Sequence, residues 1–549
     1  MESQHYSMAG RSLGALDRTA ERLRKRTRRM RASDERALSH IQREDAVAIL
    51  LCLAYLVILY NYVNLQIPAA VPFSPDESSA LFTSKMLTEK GTIFWTSLLN
   101  EKYGVKFFRP RLFTEVAPNT YVTAGSIGFA ILLAFAAELQ ILPFLVSIIA
   151  AAGVLAAYSA IAQVYDKRAG LFVAAAVGAL PTFVFFSNAY FDIVPSVGFF
   201  LMSLVLFLTY LKTSKTWQII LSSVFLSISV LVRPYSVVFM VGYFAAIPIL
   251  RRRLCFKSLV IGGACFLIVL APVLIVNDYA YGHPFMIGLT STAGIVEIAT
   301  TERLQIEAYL IAFINHVLGL TPLLFLLGIF GGAIVLKENR TQSQSVLLAH
   351  LVSVSAVSFV VFGSLSRTYG FYEVTPIASV SRYLMPIYLL LSCFAYAFVR
   401  RLIDLRMKRI SLLVVSLLLV SLLAGSLTSN ALPSLVTTRQ NYDAAREVIR
   451  ALPQESVVFT RTLDKLVFPG RNVALVYTNA DVAQNPYLRY MVPVVNIDRD
   501  VIPVIQKLLL DGVHVFLAED VDDLADHLVR SGYVVRRVGT TFLREVSFS

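Results

Sequence analysis

Polar and apolar positions along this chain are segregated over distances much longer than a helical turn. After a mostly polar stretch of 45 residues, uncharged apolar runs begin with Ala46–Tyr60, recur at Leu142–Val164, Leu171–Phe186 and Val197–Leu211, and continue to about Leu427. A helix needs ~20 apolar residues to cross a bilayer, so the pattern predicts an α-helical polytopic membrane protein. Past Thr428 the period changes. Short apolar runs such as "SVVFTR", "VALVY", "VPVVNI" and "VHVFLA" read as strands, and they alternate with the helical stretches "RDVIPVIQKLLLDG" and "EDVDDLADHLVRSG". That alternation predicts a small C-terminal α/β soluble domain. The expected organisation is a basic N-terminal segment over 1–45, a transmembrane catalytic part over 46–427 with a long first external loop at 67–141, and an external α/β domain over 428–549.

Charge supplies the topology. Seven Lys or Arg residues fall between Arg22 and Arg31, and further basic clusters occupy short loops: Lys167-Arg168, Lys212 with Lys215, Arg251 to Arg253, Lys337 with Arg340, and Arg400 to Arg409. Such clusters hold loops in the cytoplasm and attract anionic headgroups. Placing all of them inside requires about 11 spans, near residues 46–66, 142–164, 170–187, 196–211, 216–232, 235–250, 257–276, 319–336, 345–363, 383–400 and 410–428. It also requires that Tyr121–Ala137 not cross, so this apolar segment is expected to be interfacial or re-entrant. The same parity puts the loops around Asp76, Asp192, Arg233, His283 and Glu373, and the tail, on the external face.

Composition agrees, with 56% hydrophobic residues and a mean hydropathy of +0.66. The net charge of +13 would suit nucleic acid, but it is confined to loops between apolar runs and no nucleic-acid motif accompanies it, so no nucleic-acid partner is expected. The four cysteines lie in or beside apolar segments and support neither a disulfide framework nor a zinc site. The first apolar run lies too far into the chain for a cleavable signal peptide.

Candidate chemistry begins with "VPFSPDESSALF" (71–82), at the edge of the first apolar segment. Ser74, Pro75 and Glu77 fit a helix start, with Ser as N-cap, Pro at the first helical position and Glu closing a capping box. That leaves Asp76 optional to the cap, with only the helix dipole as a structural use for it. Asp192 in "NAYFD" stands just before a span, where acids are often functional, and Arg382 with Tyr383 in "SRYLMP" opens a late one. Lys106, Arg109 and Arg111 in "KFFRPRLF" form a basic, aromatic-interleaved patch suited to phosphate or headgroups.

This arrangement, an acidic pair in a long first external loop, an Asp after the third span and "RYLMP" at a late one, resembles the GT-C class of membrane glycosyltransferases. It is most similar to the protein O-mannosyltransferases and the lipid A aminoarabinose transferases. The resemblance implies an inverting enzyme that moves a sugar from a polyprenyl (dolichyl or undecaprenyl) phosphate carrier on the non-cytoplasmic face of a cell membrane or endoplasmic reticulum. The acceptor would be a glycan, lipid or protein. It implies Asp76 as general base with Glu77 beside it, Asp192 near the site, and Arg382 with Tyr383 at the donor phosphate. A divalent cation is compatible with it. In place of a His-Pro-Pro-like stretch after the acidic pair, this chain has "FFRPRLFTEVAPNTY", and the large luminal repeat module of the mannosyltransferases is absent. The rival reading is a membrane transporter or lipid flippase. It would place ionisable residues and broken helices at the bilayer midplane, whereas here the apolar runs are nearly free of charge and polar residues crowd one face.

Overall fold

The computed structural model describes residues 43–67, 71–250, 256–284, 306–363, 379–428, 431–484 and 492–548. The chain divides into a unit ending at Leu51 and a much larger one from Cys52 onward, which holds both sheets and every helix after Ala54. The loop residue Glu373 and the basic clusters at 22–31 and 251–253 lie outside the described residues.

Among the described residues, six helices are long and apolar enough to cross a membrane: Leu142–Val164, Ile193–Thr213, Phe256–Tyr281, Gln342–Val361, Met385–Asp404 and the stretch from Lys408. Two further segments are bent pairs, so that the count is eight if each is one span. The segment expected at 170–187 breaks by 65° between Lys167–Gly178 and Pro181–Ser187, with Pro181 opening the second half. A proline is tolerated at a helix start and lacks the N–H that would continue the preceding helix. The segment expected at 319–336 likewise bends by 99° ahead of Pro322–Lys337. Thr216–Val232 and Pro234–Leu250 are shorter apolar helices. Ile193–Thr213 packs between Leu145–Val164 and Thr216–Val232, and Pro322–Lys337 packs on Met385–Asp404. Glycine makes the second contact possible: a Cβ on Gly331 would lie 1.6 Å from the Phe394 carbonyl oxygen, the close approach that small residues allow between membrane helices.

Tyr121–Ala137 divides in two. Its first residues belong to β3 of a three-stranded antiparallel sheet, order β1-β3-β2, made of Trp95–Thr96, Phe113–Ala117 and Thr120–Thr123. Its remainder is the helix Ile127–Glu138, 12 residues long. At 1.5 Å per residue that is about 18 Å, against ~30 Å of hydrocarbon.

The C-terminal part holds a five-stranded mixed sheet in the order β5-β4-β6-β8-β7. Strands β4 (Val457–Thr460), β5 (Asn472–Leu475) and β6 (Val515–Ala518) run parallel, and β7 (Tyr533–Arg537) and β8 (Leu543–Phe548) add an antiparallel edge. Strands β4 and β6 are buried at every position, which is why "VVFT" and "VFLA" are continuous apolar runs rather than alternating ones. On one face Val457, Phe459, Val515 and Leu517 meet helices Ile502–Leu510 and Asp522–Arg530, together with Phe107 and Phe108 of the first loop. On the other, Val458, Val473 and Phe516 meet Phe82, Met86, Phe113 and Tyr121. First loop and tail therefore share one core, joined by Leu475 N donating to the Phe107 carbonyl at 2.9 Å. The expected strand "VPVVNI" is reduced to an isolated bridge between Tyr477 and Val494. Pro493 has no N–H to give to a ladder, and Asn496 already caps the helical turn after it.

Candidate active site

Four breaks in the helical pattern converge on one cleft. Helix Pro75–Lys90 begins there with Ser74 in an extended conformation (φ −126°, ψ 164°), its hydroxyl accepting from Glu77 N, while the Glu77 carboxylate accepts from Ser74 N at 3.0 Å; the capping box is complete. This fixes Asp76 in the first turn. Asp192 immediately precedes Ile193–Thr213, Arg233 sits at the break before Pro234, and Arg382 and Tyr383 close the short helix Ser379–Tyr383. The cleft has a cavity volume of about 70 Å³ and is lined by Asp76, Asp192, Arg233, Arg382, Tyr383 and Tyr235 among others.

Its electrostatics are those of two carboxylates facing two guanidinium groups. Arg382 Nη1 lies 3.8 Å from Asp76 Oδ2, and Arg233 pairs closely with Asp192. Aromatic rings hold both arginines in place: Arg233 lies 4.6 Å from the centre of the Tyr383 ring, and Arg382 lies 5.2 Å from Phe191 and 5.3 Å from Tyr383. Such cation–π contacts orient a guanidinium without consuming its N–H donors. Removal from bulk water pushes the Asp76 carboxyl above its ordinary value of 3.8; Asp192 pushes the same way, and Arg382, Arg233 and Arg111 oppose it.

Glu77 is placed differently. It is fully buried and does not itself line the cleft, receiving N–H donors from Phe73, Ser74 and the cleft residue Tyr190 and pairing with Arg439. The basic patch of the first loop also stands apart. Lys106 makes an exposed pair with Glu115 at 3.0 Å. Arg109 donates to the Phe113 carbonyl at 3.1 Å and lies over the Tyr121 ring. Arg111 is engaged through Nε and its backbone N–H with Asp464 at 2.7 and 2.8 Å. None of the three lines the cleft. His283 lies on an exposed turn. Among the described residues no group of three or more His, Cys, Asp or Glu side chains stands together. A hard divalent cation needs several free oxygens, and both cleft carboxylates already face guanidinium groups, so the described residues of the cleft do not by themselves fit a metal.

Arg233, placed by the sequence only on an external loop, and Arg439 are absent from its candidate site residues. Arg233 had a signal, an ionisable residue inside an apolar stretch directly before a proline. Arg439 had none, since it is one polar residue among many at the start of the tail.

No protein-family model and no curated protein sequence matches the chain. Solved structures do. ArnT from Cupriavidus metallidurans bound to undecaprenyl phosphate aligns with a TM-score of 0.60, at 13% identity, over 91% of this chain and 97% of that one, and its apo state aligns with 0.59. An Archaeoglobus fulgidus oligosaccharyltransferase in complex with Zn and sulfate aligns with 0.50, at 13% identity, over 90% of this chain and 72% of that one. The chain has the fold of the GT-C class of membrane glycosyltransferases.

Proposed function

We propose that this protein is an inverting glycosyltransferase that uses a polyprenyl-phosphate sugar as donor, with its chemistry in the cleft on the non-cytoplasmic side. The observation that carries the reading is the meeting of Asp76 with Arg382 and Arg233 in one cleft. The fold shared with an undecaprenyl-phosphate-bound ArnT supports the donor class.

The chemistry needs little more than these groups. The leaving group is a phosphate diester becoming a monoester anion, acidic enough to depart without a general acid. What it requires is positive charge where that anion forms, and guanidinium groups hold phosphate oxygens in a fork. Arg382 and Arg233 supply it. The acceptor hydroxyl must lose its proton as its oxygen bonds to the anomeric carbon, and Asp76 takes that proton. One displacement breaks the carbon–oxygen bond to phosphate from the opposite face and inverts the centre, so a single carboxylate base is enough, unlike hydrolases that use two. A donor phosphate between the arginines draws Arg382 away from Asp76 and leaves that carboxylate more basic. Asp192 holds Arg233 in position and is not itself a proton acceptor in this reading.

The test is at the phosphate. Arg382→Ala should weaken binding of undecaprenyl phosphate and slow transfer by at least ~10-fold, the order lost with a charge-assisted hydrogen bond. Arg382→Lys should recover only part, because an ammonium gives no planar fork. Wild-type binding and transfer in a folded Arg382→Ala protein would remove the donor assignment.

A further inference from the structure

Glu77 and Arg439 are both completely buried, 362 positions apart in sequence, with Arg439 Nη2 3.1 Å from Glu77 Oε1. The rest of the carboxylate is also committed: Oε1 accepts from the backbone of Tyr190 at 2.6 Å, and Oε2 from the backbones of Phe73 and Ser74. A carboxylate offers about four acceptor positions, so none remains for a substrate. Arg439 depends on it in turn. Its Nε and Nη1 have no hydrogen-bond partner among the described residues, and its guanidinium lies 5.4 Å from the centre of the Tyr190 ring.

The three segments this carboxylate joins are the ones that matter. Phe73–Glu77 carries Asp76. Tyr190 is two residues from Asp192, which holds Arg233. Arg439 lies in helix Ala431–Ala451, whose Ile449 packs into the core shared by first loop and tail. Asp76 and Glu77 are consecutive on one helix, so the first faces the cleft while the second is anchored behind it.

We infer that Arg439 is a positioning residue: by holding the Glu77 carboxylate between the Asp76 turn and the Tyr190–Asp192 turn, it sets the spacing of base and phosphate-binding groups and makes that spacing depend on the C-terminal helix. The inference rests on the transfer reading for its kinetic consequence, but not for its mechanical one. A helix start needs only Ser74 and the Glu77 side chain; a buried guanidinium from the far end of the chain adds nothing to capping. What it adds is a counter-charge for the carboxylate that already bridges the two segments, and a tie from both to the C-terminal helix.

The experiment compares Arg439→Met with the double variant Glu77→Gln/Arg439→Met. The single variant leaves a buried carboxylate without its counter-charge and should melt well below wild type. The double variant removes both charges while Gln keeps the capping hydrogen bonds, so its melting point should return most of the way. Hydrogen exchange should nevertheless remain faster than wild type at Phe73–Glu77 and Tyr190–Asp192. With a polyprenyl-phosphate sugar donor, kcat should be down by ~10²-fold, the cost of roughly 1 Å of misplacement, with the donor KM changed much less. If the double variant does not fold, Arg439→Lys, which keeps the charge, should fold and show the same pattern in weaker form. A folded variant with wild-type exchange in those two segments, or with wild-type kcat, overturns the proposal. If wild-type protein moves no sugar from any such donor, the transfer reading fails and the exchange measurement alone still decides whether the clamp exists.

Discussion

Asp76 occupies a position with opposing demands. The first turn of a helix favours a carboxylate by ~0.3–1 kcal/mol, while withdrawal from water and the Asp192 charge raise its pKa above 3.8. A carboxyl whose pKa is higher in the folded than in the unfolded chain costs stability when ionised, and that cost is relieved as pH falls through the folded value. Mild acidification should therefore not destabilise the protein through this group, yet it should stop transfer by protonating the base. The acid limb of kcat against pH is expected above the ordinary carboxylate range. Asp192→Asn, which removes a raising charge and frees Arg233 to lower the pKa further, should move the limb down. An acid limb unmoved in Asp192→Asn would show that another group titrates. At this scale the sequence was informative wherever local geometry decides. "SPDE" announces its own cap and so exposes Asp76 as the residue the cap does not need. Arg233 and Arg439 were not legible in the same way, since a cation acquires meaning only from the carboxylate it meets, 41 and 362 residues away.

Among elements, the short helix Ile127–Glu138 decides the shape of the cleft. Ser126, its N-cap, donates to the Leu231 carbonyl at 2.9 Å, and a Cβ on Gly128 would stand 2.0 Å from that same oxygen. The helix is thus held against the end of Thr216–Val232, two residues from Arg233, while Ser126 and Phe129 line the cleft. Gly128→Ala must push the two apart, at a cost of about 1–3 kcal/mol for overpacking. It should lower the melting point and reduce transfer by shifting Arg233, whereas Gly263→Ala, where a Cβ meets nothing within 4 Å, should do neither. An unaffected Gly128→Ala protein would mean this contact does not hold the cleft. Hydropathy alone marked the long apolar helices, but it read 170–187 as one span and did not flag the β7–β8 hairpin. The first error comes from Pro181, whose effect on direction is not a matter of hydrophobicity. The second comes from a half-exposed edge in which charged residues such as Arg536, Arg537 and Glu545 interrupt the apolar alternation.

For the whole molecule, the transfer reading requires that the first loop and the tail lie on the same side of the membrane, because Phe107, Phe108 and Phe82 complete the core of the C-terminal sheet. In that reading, with the basic loops inside, this side is the non-cytoplasmic one. In intact cells a membrane-impermeant maleimide should label Glu447→Cys, whose side chain is 66% exposed, and should label Lys167→Cys only after permeabilisation. The reverse pattern would invert the topology. The shared core was not readable from the chain: strand and helix patterns predict a self-contained α/β domain, and nothing in "KFFRPRLF" tells that its three phenylalanines pack on a sheet some 350 residues downstream.

The central claim is that Asp76 is the base. The direct measurement is turnover of Asp76→Asn with undecaprenyl-phosphate sugars and acceptor-containing membranes, followed by mass spectrometry as release of undecaprenyl phosphate, alongside melting and undecaprenyl-phosphate binding. Asn can replace Asp at a helix start but has no basic carboxylate, so melting and binding should stay close to wild type while turnover falls by at least about a hundredfold, within the ~10²–10⁴-fold range of general base catalysis. A folded Asp76→Asn protein that binds the carrier and turns over normally would contradict the assignment.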